Sequence, residues 1–286
     1  MVDPADGSKV SQEYMCHANL DVKPGPYMKQ MKMQHGISGR IFTLSQGQQK
    51  IEFPPGFGIP ILSTDRLDLT TQVLNLNRDD PELVVRHKVT VEFVRDRDVP
   101  RDHPMKPLFQ AAVEGLKSLE GPGKVYGVSD SAMDHELQGA GCAVGASAIH
   151  GDADLDSLGR KFTAHWVVEP GREVNRTLVT KFLDLPFDTT IHYIAVHLHP
   201  FAKSLELIDR TTGRSLFKAE VDPAPGRIGI DHVDHLSSPE GIPIYKDHQY
   251  ELVSVYDNTS GRDQDSMAVM YLYLLDKGFT RPKIGP

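Results

Sequence analysis

Apolar and polar residues alternate in short runs along most of this chain, and Gly, Pro, Asn and Asp interrupt the runs after roughly 5 to 10 residues. A period of two sends neighbouring side chains to opposite faces, so the pattern predicts half-buried β-strands. It predicts strands over residues 39–44, 67–77 and 84–94, the last with Val89, Val91 and Phe93 alternating with Lys88, Thr90 and Glu92. Residues 204–209 and 216–221 flank Thr211-Thr212-Gly213 and predict a hairpin whose glycine takes the left-handed conformation. Strands over 248–256 and 267–275 complete the set, the last so apolar that it predicts a central strand. One helical period intervenes, with Leu108, Ala112, Leu116 and Leu119 on one face of a helix over 107–119. The whole predicts an all-β protein of two tandem antiparallel β-sandwich (jelly-roll) domains with one short helix. Residues 1–128, with the helix near its end, form the first domain, 129–161 a long crossing loop, and 162–286 the second.

The 286 residues suffice for a substantial core, and 39% hydrophobic with 24% charged residues exclude the disordered, fibrous and membrane classes. A net charge of −8 offers no global attraction for nucleic acid or anionic lipid, so neither is expected as a partner. No apolar run reaches the length of a membrane span, and the first residues lack the basic and apolar regions of a signal peptide. That start fits either a cytoplasmic protein or a trimmed mature form of a periplasmic or secreted one, and the second is the expectation. Cys16 and Cys142 either form one disulfide or are both buried thiols.

His197 and His199 close an apolar run, one residue apart, so along a strand both imidazoles reach one face. Imidazole pairs suit copper, zinc, iron or nickel, and a thioether such as Met267 on a late strand narrows the choice to copper, because soft sulfur holds Cu(I) well. The alternative for each residue is plain: histidines at a strand end often face solvent, and methionine is commonly a core filler.

The order His165-Trp166 with Pro170-Gly171, then His197-x-His199, then Met267 with Tyr271 four residues on, resembles the second domain of the copper type II, ascorbate-dependent monooxygenases, the family of peptidylglycine α-hydroxylating and dopamine β-monooxygenases. The resemblance covers roughly residues 162–275. It implies one copper on His197, His199 and Met267, Tyr271 beside the substrate, dioxygen-dependent hydroxylation of a C–H bond, and a small-molecule reductant. The first half resembles the family only in Tyr14-Met15-Cys16 and in the Phe53-Pro54-Pro55-Gly56 stretch, and the chain has no adjacent histidine pair for the family's second copper. Ala195 and Val269 stand where the peptide-hydroxylating relatives carry an arginine and an asparagine for the substrate carboxylate, which points to a neutral, non-peptide substrate.

Other histidines are weaker metal candidates: His165 beside the only tryptophan, His150 with Cys142 on the crossing loop, and His17 and His35 in the first half, where His87 and His103 also lie. His192 falls at odd spacing, on the opposite face from the pair, and His232 and His235 lie in an irregular segment. The carboxylates of Asp152, Asp154 and Asp156 match only the start of a calcium loop, since Ser157 and Thr163 occupy the glycine and glutamate positions. No nucleophile elbow, phosphate-binding loop, His-Glu-x-x-His or dinucleotide fingerprint occurs. Two functions remain: a copper monooxygenase, or a non-catalytic copper-binding, storage or transfer protein. A third is an interaction module whose histidines are incidental.

Overall fold

The computed structural model describes residues 1–2, 4–5, 7–33, 35–79, 84–118, 154–155 and 161–282. Its strands are β1 (Met15–Val22), β2 (Arg40–Ser45), β3 (Phe57–Gly58), β4 (Leu67–Val73), β5 (Lys106–Glu114), β6 (Lys117–Ser118), β7 (Asp154–Leu155), β8 (Lys161–Thr163) and β9 (Trp166–Val168). There follow β10 (Gly171–Leu178), β11 (Thr189–Leu198), β12 (Ala202–Asp209), β13 (Arg214–Pro223), β14 (Ile230–Val233), β15 (Leu236–Ile244), β16 (Tyr250–Asn258), β17 (Gln264–Ser266) and β18 (Ala268–Leu275). Among the described residues, two short α-helices, α1 (Pro24–Met31) and α2 (Thr180–Leu183), complete an all-β fold. No helix among the described residues is long and apolar enough to cross a membrane.

Three sheets stack in layers. A five-stranded sheet ordered β15-β11-β18-β5-β3 lies in the middle, a second five-stranded sheet ordered β10-β16-β12-β13-β14 covers one face, and the three-stranded sheet β2-β1-β4 covers the other. Alternation along the middle strands decides which core each residue joins. On β18, Ala268, Met270, Leu272 and Leu274 face the second five-stranded sheet, where they meet Leu205, Leu207, Leu252 and Tyr256. Met267, Val269, Tyr271 and Tyr273 face the other way, with Tyr193 and Ala195 of β11. β18 is central, as its continuous apolar character predicts: it pairs with β11 on one side and β5 on the other. The hairpin of β12 and β13 turns at Gly213 with φ 71°, as expected.

Of the segment expected to form a helix over 107–119, residues 107–114 lie in β5 and 117–118 in β6 instead, and residue 119 lies outside the described residues. The apolar residues of β5 fit either period, but seven consecutive pairings with β18, from Leu108 against Leu275 to Glu114 against Val269, satisfy backbone groups that an isolated short helix would expose to fraying. Leu108 and Ala112 then pack on one face of the sheet and Phe109 and Val113 on the other. β3 and β5, from before residue 128, thus share a sheet with β11 and β18, from after residue 162.

Residues 84–94 alternate as a strand should but pair only through one bridge, Arg86 with Val2, and leave Val84, Phe93 and Val94 exposed. Among the described residues they find no ladder, which is why the period alone misassigned them. The segment around His232, expected to be irregular, includes the short strand β14, which pairs with β13. Of the crossing loop, residues 154–155 and 161 are described, as strands against β6 or each other, and Cys142 and His150 lie outside the described residues.

One ion pair ties this scaffold to pH. His35 lies against Phe109 and Phe187 with its Nε2 3.6 Å from Asp276, at the end of β18. Burial lowers the His35 pKa, but the Asp276 carboxylate and the Gly36 carbonyl outweigh it and hold it above the ordinary 6.5. A raised folded-state value means that the pair stabilises fully below the unfolded pKa and loses its contribution as pH rises through the folded one. The thermal midpoint should therefore fall from about pH 6 to about pH 8, and His35→Gln should flatten that part of the profile. A profile unchanged by the substitution would dismiss the pair as a pH-dependent tie.

Candidate metal centre

β11 and the residue after it carry the two histidines into the space between the middle sheet and the three-stranded sheet. His197 is opposite Val269 in the register with β18, and the His199 amide donates to the Met267 carbonyl at 3.3 Å, so Met267 is the cross-strand neighbour of His199. The imidazoles of His197 and His199 lie 5.2 Å apart between ring centroids, nearly perpendicular, and both are buried. The Met267 side chain is also buried, on the same face.

The third donor comes from the opposing layer. β1 shifts register between Met15 and His17, which leaves Cys16 as the irregular residue of the strand. Such a bulge re-aims a side chain, and here both Cys16 and His17 reach the middle sheet. The Cys16 thiol sulfur is 3.9 Å from His199 Nε2, and the His17 ring is 5.5 Å from that of His197. Cys16, His197 and His199 offer ligand atoms that all lie within 4.8 Å of one another, in a buried group that can hold a metal ion. Two imidazoles and a potential thiolate suit soft and borderline ions and suit hard ones poorly.

A second pair of donors stands beside this group. His165 Nε2 is 3.2 Å from the Met267 sulfur, and its ring is 5.7 Å from that of His199. Local structure holds it: Thr163 Oγ1 accepts from the His165 amide and donates to the His165 carbonyl, and β9 pairs with β17 so that Asp265 comes alongside. The Asp265 carboxylate lies 2.9 Å from His199 Nδ1 and 4.0 Å from His165 Nδ1. An Nδ1–H bound to a carboxylate fixes the tautomer, leaving Nε2 for a metal and raising its basicity. Asp265→Asn should weaken metal binding about 10- to 100-fold, the usual effect of losing such a partner, as read by competition with a chelator. Unchanged affinity would mean that the carboxylate does not orient these rings.

Tyr256 backs the centre. Its hydroxyl donates to the Met267 carbonyl at 2.6 Å, and burial, with Asp265 and Glu173 nearby, drives its pKa well above the ordinary phenol value. Its ring meets Trp166 edge to face at 5.9 Å, and Trp166 Nε1 donates to Glu173.

The other candidates are placed elsewhere. Tyr271 is four residues along β18 from Met267, roughly 13 Å at the strand rise, and buried. Its phenol flanks the Arg40 guanidinium together with Asp21. Burial would lower the pKa of Arg40, and these two groups reverse the shift. His17 binds Gln72 through Nε2. His35 occupies the Asp276 pair described above. His192 bonds Thr190 and the Ser238 carbonyl and packs on Phe57. His87 is half-buried, and His103 is exposed beside Asp102. Of the residues singled out by sequence, His197, His199, Met267 and His165 thus converge, and His17 borders them with its ring against His197 and its Nε2 held by Gln72.

Cys16 and Asp265 belong to the centre without being predicted there by the sequence. The sequence marks Cys16 only as a disulfide partner or buried thiol, and the strand bulge that aims it has no sequence signature. Asp265 did leave a signal, a carboxylate two residues before a candidate ligand and hence on the same side of an extended segment. Neither a scan of protein-family models nor a search of curated proteins finds a match to this chain.

Proposed function

We propose that this chain is a copper-binding protein that holds one copper between Cys16, His197 and His199, with the Met267 sulfur close by. The observation that carries the reading is the buried Cys16/His197/His199 group, preformed from two different layers of the fold. The donor set fits the ion: two sulfurs and two imidazoles favour Cu(I), and the thioether discriminates against zinc, which takes cysteine and histidine but seldom methionine. Bound copper would supply one-electron redox chemistry. The chain's own residues would hold it in a dry site, with Asp265 orienting His199 from behind.

Retention or transfer of copper is the better-supported role. A thiolate added to the two histidines and the methionine fills the position that an oxygen-activating centre keeps open for its substrate. Hydroxylation remains the second reading, favoured by His197, His199 and Met267 lying on one face in the order of the copper monooxygenases; it would require a small-molecule reductant and a neutral substrate.

Equilibration of the purified protein with Cu(I) and, separately, Zn(II) tests the proposal. One tightly bound Cu(I) per chain is expected, and Met267→Leu should weaken Cu(I) relative to Zn(II). Failure to retain Cu(I) after gel filtration would remove the reading. Substrate-dependent oxygen uptake with ascorbate would move the role to hydroxylation.

A further inference from the structure

The donors divide into two nitrogen–sulfur pairs. The inner pair is His199 Nε2 with Cys16 Sγ at 3.9 Å, and the outer pair is His165 Nε2 with Met267 Sδ at 3.2 Å. One carboxylate, Asp265, lies behind both imidazoles, 2.9 Å from Nδ1 of His199 and 4.0 Å from Nδ1 of His165. Both sulfurs are buried, and the imidazoles differ in exposure: the His199 side chain is 4% exposed and that of His165 12%, with the Asp265 side chain behind them at 26%. The adjacent rings of His165 and His199 are 5.7 Å apart, so an ion can change partners without leaving the line of donors.

We infer that His165 and Met267, steered by Asp265, form an outer station through which Cu(I) enters and leaves the buried Cys16/His197/His199 group. The inference rests on the copper reading and adds a direction and a partner class: a carrier that presents Cu(I) on soft ligands, such as a thiol- or thioether-bearing protein or peptide. Two-donor nitrogen–sulfur ligation suits Cu(I) and holds it loosely enough to pass on. The transfer is ligand exchange with no change of oxidation state. Bonds from Cu(I) to the carrier are replaced by bonds to His165 Nε2 and Met267 Sδ, then by bonds to Cys16, His197 and His199, and the Cys16 thiol proton is released to solvent as the copper–sulfur bond forms.

The test is a stopped-flow measurement of Cu(I) transfer from a chromophoric chelator complex to the intact protein, and back to excess chelator. His165→Ala is expected to slow both directions by on the order of tenfold or more while final occupancy stays at one copper per chain. Added imidazole should restore the rate of the variant and leave the wild-type rate unchanged. Should His165→Ala not fold by circular dichroism, His165→Gln carries the same expectations for rate and occupancy, without the imidazole rescue.

Unchanged rates would overturn the inference and leave the His165–Met267 contact as packing. So would a slowed rate in His165→Ala that imidazole fails to restore, because loss of a packed ring alone produces that result. Loss of bound copper at equilibrium would also overturn it, by making His165 a resting ligand. A wild-type protein that takes up no Cu(I) would instead defeat the copper reading itself, so the two failures are distinguishable.

Discussion

Serine in place of Cys16 is expected to lower Cu(I) affinity by more than about 100-fold, the upper end of what a mere ligand-orienting neighbour contributes. The same substitution should abolish the visible thiolate-to-metal charge-transfer absorption expected when the wild type is loaded with Cu(II). The reasoning is local. Cys16 is the irregular residue of β1 and buried, so serine fits its space with an oxygen in place of a soft sulfur, and the fold should survive. Chelator competition and an absorption spectrum measure the two effects separately. Equal affinity and an unchanged spectrum would show that copper, where bound, does not use this thiol.

The second large effect is on stability. Trp166 is completely buried between the middle sheet and β16, edge to face with Tyr256, with its indole N–H given to Glu173. Trp166→Ala removes the chain's only tryptophan and should destabilise the fold by about 3–5 kcal/mol through the cavity it leaves. It also strips Glu173 of one donor, though Lys117 remains at 3.2 Å. Because Trp166 adjoins His165 and its strand pairs with the segment carrying Asp265, the outer donors should loosen as well. Urea unfolding followed by circular dichroism reads the loss. A change below about 1 kcal/mol would mean that the layer relaxes around the gap, contrary to its dense packing.

The sequence disclosed the elements whose period and burial agree. β18 reads as central because its residues are apolar on both faces, and the structure gives it a core on each. The placement of His197, His199 and Met267 on one face follows from alternation and antiparallel register alone. β5 reads as a helix because Leu108, Ala112 and Leu116 satisfy a helical period while the strand partner that overrides it lies more than 150 residues later. Residues 84–94 show the converse, a strand period without a ladder among the described residues. The third metal donor was hidden for a related reason: Cys16 reaches the histidines only through layer stacking and a bulge, neither of which leaves a local pattern.

X-ray absorption at the copper edge on the Cu(I)-loaded protein tests the central claim most directly, since it reads the atoms bound to the metal. Sulfur scattering together with the multiple-scattering pattern of two imidazoles, with the sulfur amplitude reduced in Cys16→Ser, is the expected result. A shell of nitrogen and oxygen alone, identical in wild type and variant, would contradict a copper site built on Cys16, His197 and His199.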